Sequence, residues 1–291
     1  MPLFKRIFHP PPPPPSPLLD EPWRQINWGN KQGALQHVNI YKPFTEGAQL
    51  RILVHGAVGA GKSSFVNTVQ SVLRGRMAIE ALADSTSHGC FTKKFTTYKI
   101  EKGSPDTFYP FVFNDIMGLS AENGVPVGDV ELALVGHMKD GYNLNPESRL
   151  PDDGQFYNRD PTANDKVHVL VCVVAADTLP SMSKAIVEKI QSIREEARRL
   201  GIPQVALLTK VDLTCPEINT DLKNVARSKY LKQKMEQFSA NVGIPMNCIF
   251  PVKNYHDEID LSDDVDSLIL SALKHIINFG EDFVNKGLHK V

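Results

Sequence analysis

Short apolar runs alternate with stretches of helical periodicity from about residue 49 to the end of the chain. Six runs read as strands, at 51–55, 95–101, 109–114, 167–175, 205–209 and 248–252. Between them lie segments whose apolar residues recur every three or four positions. One, at 64–73, stops near Gly75. A second spans 130–138, and a third spans 181–200 and carries Met182, Ile186, Val187, Ile190, Ile193, Ala197 and Leu200 on one face, with Gly201 at its C-terminal cap. A fourth, basic on its outer side, spans 222–238, and a last one at 263–279 carries Val265, Leu268, Ile269, Ala272, Leu273, Ile276 and Ile277. Strands alternating with helices predict an α/β domain with a mostly parallel six-stranded sheet and helices on both faces. The stretch 140–165 fits neither period; it is polar and rich in Asn, Pro, Asp and Gly. A loop that long inside a compact domain is uncommon and often functional or mobile.

The N-terminal end departs from this pattern. Residues 1–20 contain six consecutive prolines, Pro10 to Pro15, followed by Ser16-Pro17. Such a run is extended polyproline II, either a spacer or a ligand for an SH3, WW or EVH1 domain. The basic and apolar start, Met1 to Phe8, is too short to assign to a membrane or a partner. Residues 21–48, with Trp23 and Trp28, read as an extension packed on the domain, which itself covers 49–291.

Composition narrows the class. The 291 residues are 42% hydrophobic, ordinary for a protein with a full core. Lys and Arg number 32 against 33 Asp and Glu, so no global field favours nucleic acid or an anionic membrane. The longest apolar stretch, about ten residues at 167–176, falls short of the roughly 20 needed to span a bilayer. No signal peptide, myristoylation start or CaaX box is expected. Cys90, Cys172, Cys215 and Cys248 lie far apart with no C-x-x-C pair, which reads as reduced thiols of a cytoplasmic protein. Cys172 and Cys248 are expected within buried strands.

The candidate chemistry begins where the first strand ends. Gly56-Ala57-Val58-Gly59-Ala60-Gly61-Lys62-Ser63 has the form G-x-x-x-x-G-K-[ST], and Ser64 follows it into a helix. A Gly-rich turn frees successive backbone N–H groups to surround phosphate oxygens. Lys62 would reach the β and γ phosphates and the Ser63 hydroxyl would ligate Mg²⁺. The helix N-terminus adds partial positive charge beneath them. A strand before and a helix after favour this reading over a chance Gly-rich turn.

Three later segments fall where a GTPase needs them. Asp115-Ile116-Met117-Gly118 closes the third strand as D-x-x-G; Asp115 would hold Mg²⁺ and the Gly118 N–H would meet the γ-phosphate. Thr209-Lys210-Val211-Asp212 closes the fifth strand and matches [NT]-K-x-D. There the Asp212 carboxylate would accept from guanine N1–H and the 2-amino group, which adenine cannot supply. Lys210 would lie over the base, while Thr209 replaces the more common Asn, leaving the loop contact of that Asn open. Val252-Lys253-Asn254 follows the sixth strand, with Lys253 as a further cover for the base. The first-switch hydroxyl for Mg²⁺ falls among Thr86, Ser87 and Thr92, of which Thr86 is preferred. Leu119 stands where many GTPases carry a water-orienting Gln. No cis arginine finger stands out, and the nearest imidazoles are His55 and His88. Slow intrinsic turnover follows, unless a second subunit or partner completes the site.

These segments resemble the interferon-induced protein 44 family. The resemblance rests on Pro22-Trp23-Arg24, Arg51-Ile52-Leu53, the phosphate-loop segment through Phe65, and Asp115 to Leu119. Gly136-His137, Gly141-Tyr142, Asn145-Pro146 and Asp165-Lys166-Val167-His168 carry it further. Membership implies a G-domain-like fold of the phosphate-loop NTPase class that binds GTP or GDP with Mg²⁺. It also implies a cytoplasmic, interferon-induced protein of the antiviral or innate immune response. Two alternatives to a slow GTPase stay open: a GTP-dependent interaction module that does not hydrolyse, and a GTPase activated by homodimerisation, as in the immunity-related GTPases. An ATPase is a more remote reading.

Overall fold

Residues 16–81, 93–104 and 106–288 are described by the computed structural model. Their elements in chain order are α1 (Lys31–Ile40), β1 (Leu50–Gly56), α2 (Lys62–Arg74), β2 (Thr96–Glu101), β3 (Phe108–Asp115), α3 (Val127–Leu134), β4 (Val169–Ala175), α4 (Lys184–Arg199), β5 (Gln204–Thr209), α5 (Pro216–Thr220), α6 (Lys229–Val242), β6 (Ile249–Pro251) and α7 (Asp263–Leu288). The six strands pair in the order β2-β3-β1-β4-β5-β6. All neighbours run parallel except β2, which is antiparallel to β3. The expected six-stranded, mostly parallel sheet is therefore the observed one.

The strands are continuous apolar runs because helices cover the sheet on both sides. All seven residues of β4 are buried. On one face Phe65, Val66 and Val69 of α2 join Ile269, Leu273 and Ile276 of α7 over Ile52, Val54, Phe111 and Phe113. Phe65 meets Phe113 edge to face at 5.9 Å between centroids. On the other face α3, α4 and α6 bring Val130, Ile190, Ile193, Leu231 and Met235 onto Leu53, Leu170 and Leu208.

Element ends differ from expectation where local caps outweigh periodicity. The basic helix expected at 222–238 is two elements. A 3₁₀ turn, Leu222–Ala226, gives way to α6, which starts after Ser228, whose hydroxyl accepts from the Leu231 N–H at 3.1 Å. α3 begins three residues earlier than expected, directly after Pro126, and α7 continues past Phe279 to Leu288. Cys172 is buried in β4 as expected, but Cys248 ends a 3₁₀ turn before β6 and is only partly buried. Residues 16–20, grouped above with the proline-rich head, are tied down: the Leu19 N–H donates to Arg227 O at 2.8 Å, and Leu18 bridges Ser228.

The polar stretch at 140–165 is packed rather than structureless. Its backbone pairs with the chain leading into β2: Phe95 N–H donates to Tyr142 O at 2.9 Å, and Gly141 N–H returns to Phe95 O at 2.8 Å. The Leu150 N–H donates at 2.8 Å to Asp129 Oδ1, a buried carboxylate in the first turn of α3. Leu144 and Leu150 then bury with the α3 side of the core.

Before β1 the chain is bound to the rest of the fold by backbone and side chains. The Trp23 backbone N–H donates to Ala226 O at 2.9 Å. The Arg24 guanidinium lies 4.9 Å from the Trp23 ring and 5.8 Å from that of Phe250. It donates to the backbone carbonyls of Met246 and Ile249 around the start of β6. Removing a buried donor leaves its carbonyls unpaired, at about 1–3 kcal/mol. Arg24→Met should lower unfolding stability by about 2–3 kcal/mol, read as a lower urea midpoint at unchanged slope.

Candidate nucleotide-binding site

The site residues gather at the carboxyl ends of β1, β3 and β5. β1 occupies the centre, paired with β3 on one side and β4 on the other, so its C-terminal end lies where the crossovers diverge to opposite edges. In open α/β sheets that is the crevice used for ligands. Gly56 ends β1 at φ 139°, and a Cβ there would lie 2.0 Å from Val173 O, so no other residue fits. Gly59 and Gly61 also adopt positive φ, and α2 starts at Lys62 directly after Gly61. The loop therefore takes the strand–turn–helix form that its spacing predicts.

Other segments hold the loop from outside. The Thr209 hydroxyl donates to Ala60 O at 2.6 Å, so threonine supplies the loop contact left open by the missing asparagine. Asn254 Nδ2 donates to Gly61 O at 3.0 Å. The Val58 N–H donates to Leu119 O, and the Leu119 N–H returns to Gly56 O, both at 2.9 Å. The segment after D-x-x-G is thereby laid against the loop as a short parallel bridge. Gly118 is required there, since a Cβ would fall 2.7 Å from Val58 Cα. Downstream, Lys189 of α4 holds Ser120 O at 2.7 Å.

Lys62 and Asp115 are both buried at the loop. Lys62 Nζ lies 3.0 Å from Ala57 O and 3.3 Å from Gly56 O. The Ser63 hydroxyl donates to Asp115 Oδ2 at 2.5 Å. Asp115 is fully buried, and its other oxygen, Oδ1, has no hydrogen-bond partner. Burial raises its pKa, while Lys62, the Ser63 hydroxyl and the Ile116 N–H oppose that shift. An orphaned buried carboxylate oxygen beside a hydroxyl is a donor set of hard oxygens that fits Mg²⁺.

Not every expected residue joins the cluster. Ser64 follows Ser63 in the first turn of α2, where its carbonyl accepts from the Thr68 hydroxyl at 2.8 Å. Asp212 lies in a 3₁₀ turn, Val211–Leu213, and is partly exposed. Lys210 precedes it in the left-handed region at φ 55°, one of two non-glycine residues so placed among those described. Such strain persists only where surroundings impose it, and it concentrates at functional sites. Lys253 is held by Glu258 at 2.6 Å rather than by the loop. Thr86, Ser87, His88 and Thr92 lie outside the described residues. Asn254 was not anticipated as a loop contact, and a lone Asn after a strand carries no spacing signal that would reveal one.

Leu119 is fully buried among Val125, Val130 and Ile190, so its side chain is a core element. His55 is buried beside Lys62, and desolvation, with a smaller effect of that ammonium, lowers its pKa to about 3. His168 accepts the Arg51 N–H on Nδ1, and burial lowers its pKa to about 4.

The fold and this loop cluster define a phosphate-loop protein of the G-domain class. No family model matches the chain. It is 33% identical over 256 residues to interferon-induced protein 44 of Pan troglodytes, covering 87% of this chain and 57% of that protein. For interferon-induced protein 44 of Mus musculus the identity is 34% over 251 residues, covering 86% and 59%. For interferon-induced protein 44-like of Homo sapiens it is 30% over 256 residues, covering 86% and 56%. The chain belongs to the interferon-induced protein 44 family, and it spans under two thirds of the length of these relatives. Among solved structures, a dimerization-deficient mutant of Toc33 from Arabidopsis thaliana is 14% identical, covering 87% of this chain and 92% of that one at a TM-score of 0.49. Toc33 in complex with GDP and Mg²⁺ is 13% identical, covering 87% and 96% at 0.45. Likenesses at that level speak to neither the ligands nor the partners of this chain. Among the described residues no helix is long and apolar enough to cross a membrane.

The two buried imidazoles set a pH dependence. An unfolded histidine titrates near 6.5, whereas His55 and His168 stay neutral in the fold to about 3 and about 4. The unfolded chain therefore binds more protons below pH 6.5. Stability present above that pH is lost as pH falls towards those values. In His55→Leu, the fall in unfolding free energy between pH 6 and 4 should be shallower by roughly 1.4 kcal/mol per pH unit, measured by urea titration.

Proposed function

We propose that this chain is a guanine-nucleotide-binding protein that binds GTP or GDP with Mg²⁺, turns GTP over slowly, and acts in the cytoplasm in the interferon-induced innate or antiviral response. The observation that carries the reading is the convergence on one phosphate loop of the Ser63–Asp115 pair and the Thr209 tether. In this reading the N–H groups of residues 58–63 surround the phosphates, and Lys62 leaves its carbonyl contacts for the β and γ phosphates. Ser63 and Asp115, with Thr86 of the first switch, hold Mg²⁺, which neutralises phosphate charge when bound. Gly118 meets the γ-phosphate, Asp212 reads guanine, and Lys210 and Lys253 cover the base.

Leu119 argues for slow chemistry. Buried and bridged to Gly56 through its backbone, it offers no group that could orient a water. The same observation favours a second reading, a GTP-dependent interaction module that does not hydrolyse. A third reading has a homodimer complete the site. Phosphate release that rises per molecule with protein concentration supports the dimer; none at any concentration leaves the module. In each reading the proline run at residues 10–15 is either a spacer or a ligand for an SH3, WW or EVH1 domain.

A mant-GTP titration with and without Mg²⁺ tests the core of the proposal. Saturable, Mg²⁺-strengthened binding is expected, weakened at least about tenfold in Lys62→Ala, as the loss of a charge-assisted contact implies. In Asp212→Asn, GTP affinity should fall and that for xanthosine triphosphate rise, because the new amide donates to the C2 carbonyl that replaces the 2-amino group. Tight ATP binding that GTP does not displace would sink the guanine reading.

A further inference from the structure

The hydrogen bonds of the loop after β6 lead away from the phosphate loop to the chain before β1. Gly61 adopts φ 87° as the residue before α2, and its carbonyl accepts two donors: the Phe65 N–H at 2.9 Å and Asn254 Nδ2 at 3.0 Å. The Lys62 N–H belongs to the same planar peptide and points the opposite way. Holding the Gly61 carbonyl back therefore aims the Lys62 N–H forward into the crevice.

Asn254 is positioned in turn by its neighbour. The Tyr255 N–H donates at 3.1 Å to the Thr68 hydroxyl, which itself donates at 2.8 Å to Ser64 O in the first turn of α2. The Tyr255 hydroxyl accepts from the Ser262 N–H at 2.7 Å and donates to Asp266 Oδ1 at 2.6 Å. Asp266 is fully buried, so its charge needs a partner. That partner is Lys31, the first residue of α1, whose Nζ lies 2.6 Å from Oδ2. Lys31 also reaches Asp263 at 2.9 Å.

We propose that Lys31, in the segment preceding the domain, is a positioning residue for nucleotide binding, acting through Asp266, Tyr255 and Asn254 on the Gly61–Lys62 peptide. The proposal rests on the reading of this loop as a phosphate site. It assigns the segment before β1 a part in setting nucleotide affinity beyond its part in the core. Each link is a direct contact between buried or half-buried groups, so the chain is continuous from α1 to the loop. Loss of the Lys31 charge leaves Asp266 uncompensated, and the Tyr255 ring and the Asn254 amide lose their fixed position.

Dissociation of mant-GDP, followed by stopped flow in the full chain, tests this. Lys31→Met and Tyr255→Phe should each speed release by about tenfold, a size typical of coupled sites. Lys31→Arg, which keeps the charge, should restore wild-type release. Asn254→Ala should speed release as well, and Lys31→Met added to it should speed it no further, because both act through one contact. Wild-type release in Lys31→Met and Tyr255→Phe proteins of native circular dichroism would overturn the proposal, and so would full additivity with Asn254→Ala. If Lys31→Met does not fold, Tyr255→Phe, which removes a single hydroxyl, decides alone. Wild-type protein that binds no mant-GDP overturns the nucleotide reading and this inference together, whereas binding with insensitive variants overturns only the inference.

Discussion

A single backbone approach governs the geometry of the crevice: β1 ends against β4 so closely that only Gly56 can stand there, 2.0 Å being left for any Cβ before Val173 O. The closeness follows from topology. β1 is hydrogen-bonded on both sides, Val54 opposite both Asp115 and Val171, so the chain cannot ease away as it leaves the sheet. It must turn at once, and a helix then starts six residues later. The Gly56 carbonyl becomes an acceptor for Leu119 N–H, which brings the D-x-x-G segment against the loop. Asp115 is thereby carried next to Ser63, and the rest of the cluster assembles around that pair.

The cluster carries energetic costs that hydrophobic packing elsewhere must offset. Asp115 and His55 are both buried with an unpaired polar atom, and each such atom costs about 1–3 kcal/mol. Lys210 is held in the left-handed region, at a further cost of about 1–3 kcal/mol. Two aromatic-rich apolar faces stand against these terms, with Phe65, Phe111 and Phe113 fully buried on one of them. Among the described residues, buried polar atoms without a partner occur at this end of the sheet, on His55, Asp115 and Asn254, and also elsewhere, as on Trp23, Gln70 and Asn285.

Most of the sheet was legible because strand periodicity and burial agree: every expected strand overlaps an observed one. The register of the phosphate loop was equally legible, since G-x-x-x-x-G-K-S leaves no freedom once a strand precedes and a helix follows. What the sequence hid were contacts without a period. The break between Ala226 and Lys229 depends on one serine cap, which a basic helical run masks. The packing of 140–165 depends on Phe95 and Asp129 far along the chain, so a polar composition read as loose. Asn254 and Tyr255 act through hydrogen bonds to α2 and α7 that no local pattern encodes.

The residues that carry the family resemblance sort by physical role, and most of them are structural. Arg24 caps the start of β6 between two rings. His137 stacks on Tyr157 at 4.9 Å while its Nδ1 meets Asn158 O, which closes the 140–165 segment onto α3. Arg51 and His168 exchange backbone and ring contacts at the far end of the sheet from the loop. These groups hold the segment before β1 and residues 140–165 in place around the sheet. Leu119 belongs with them, because its side chain completes the core under α3 and α4. A position that many GTPases give to water chemistry is here given to packing.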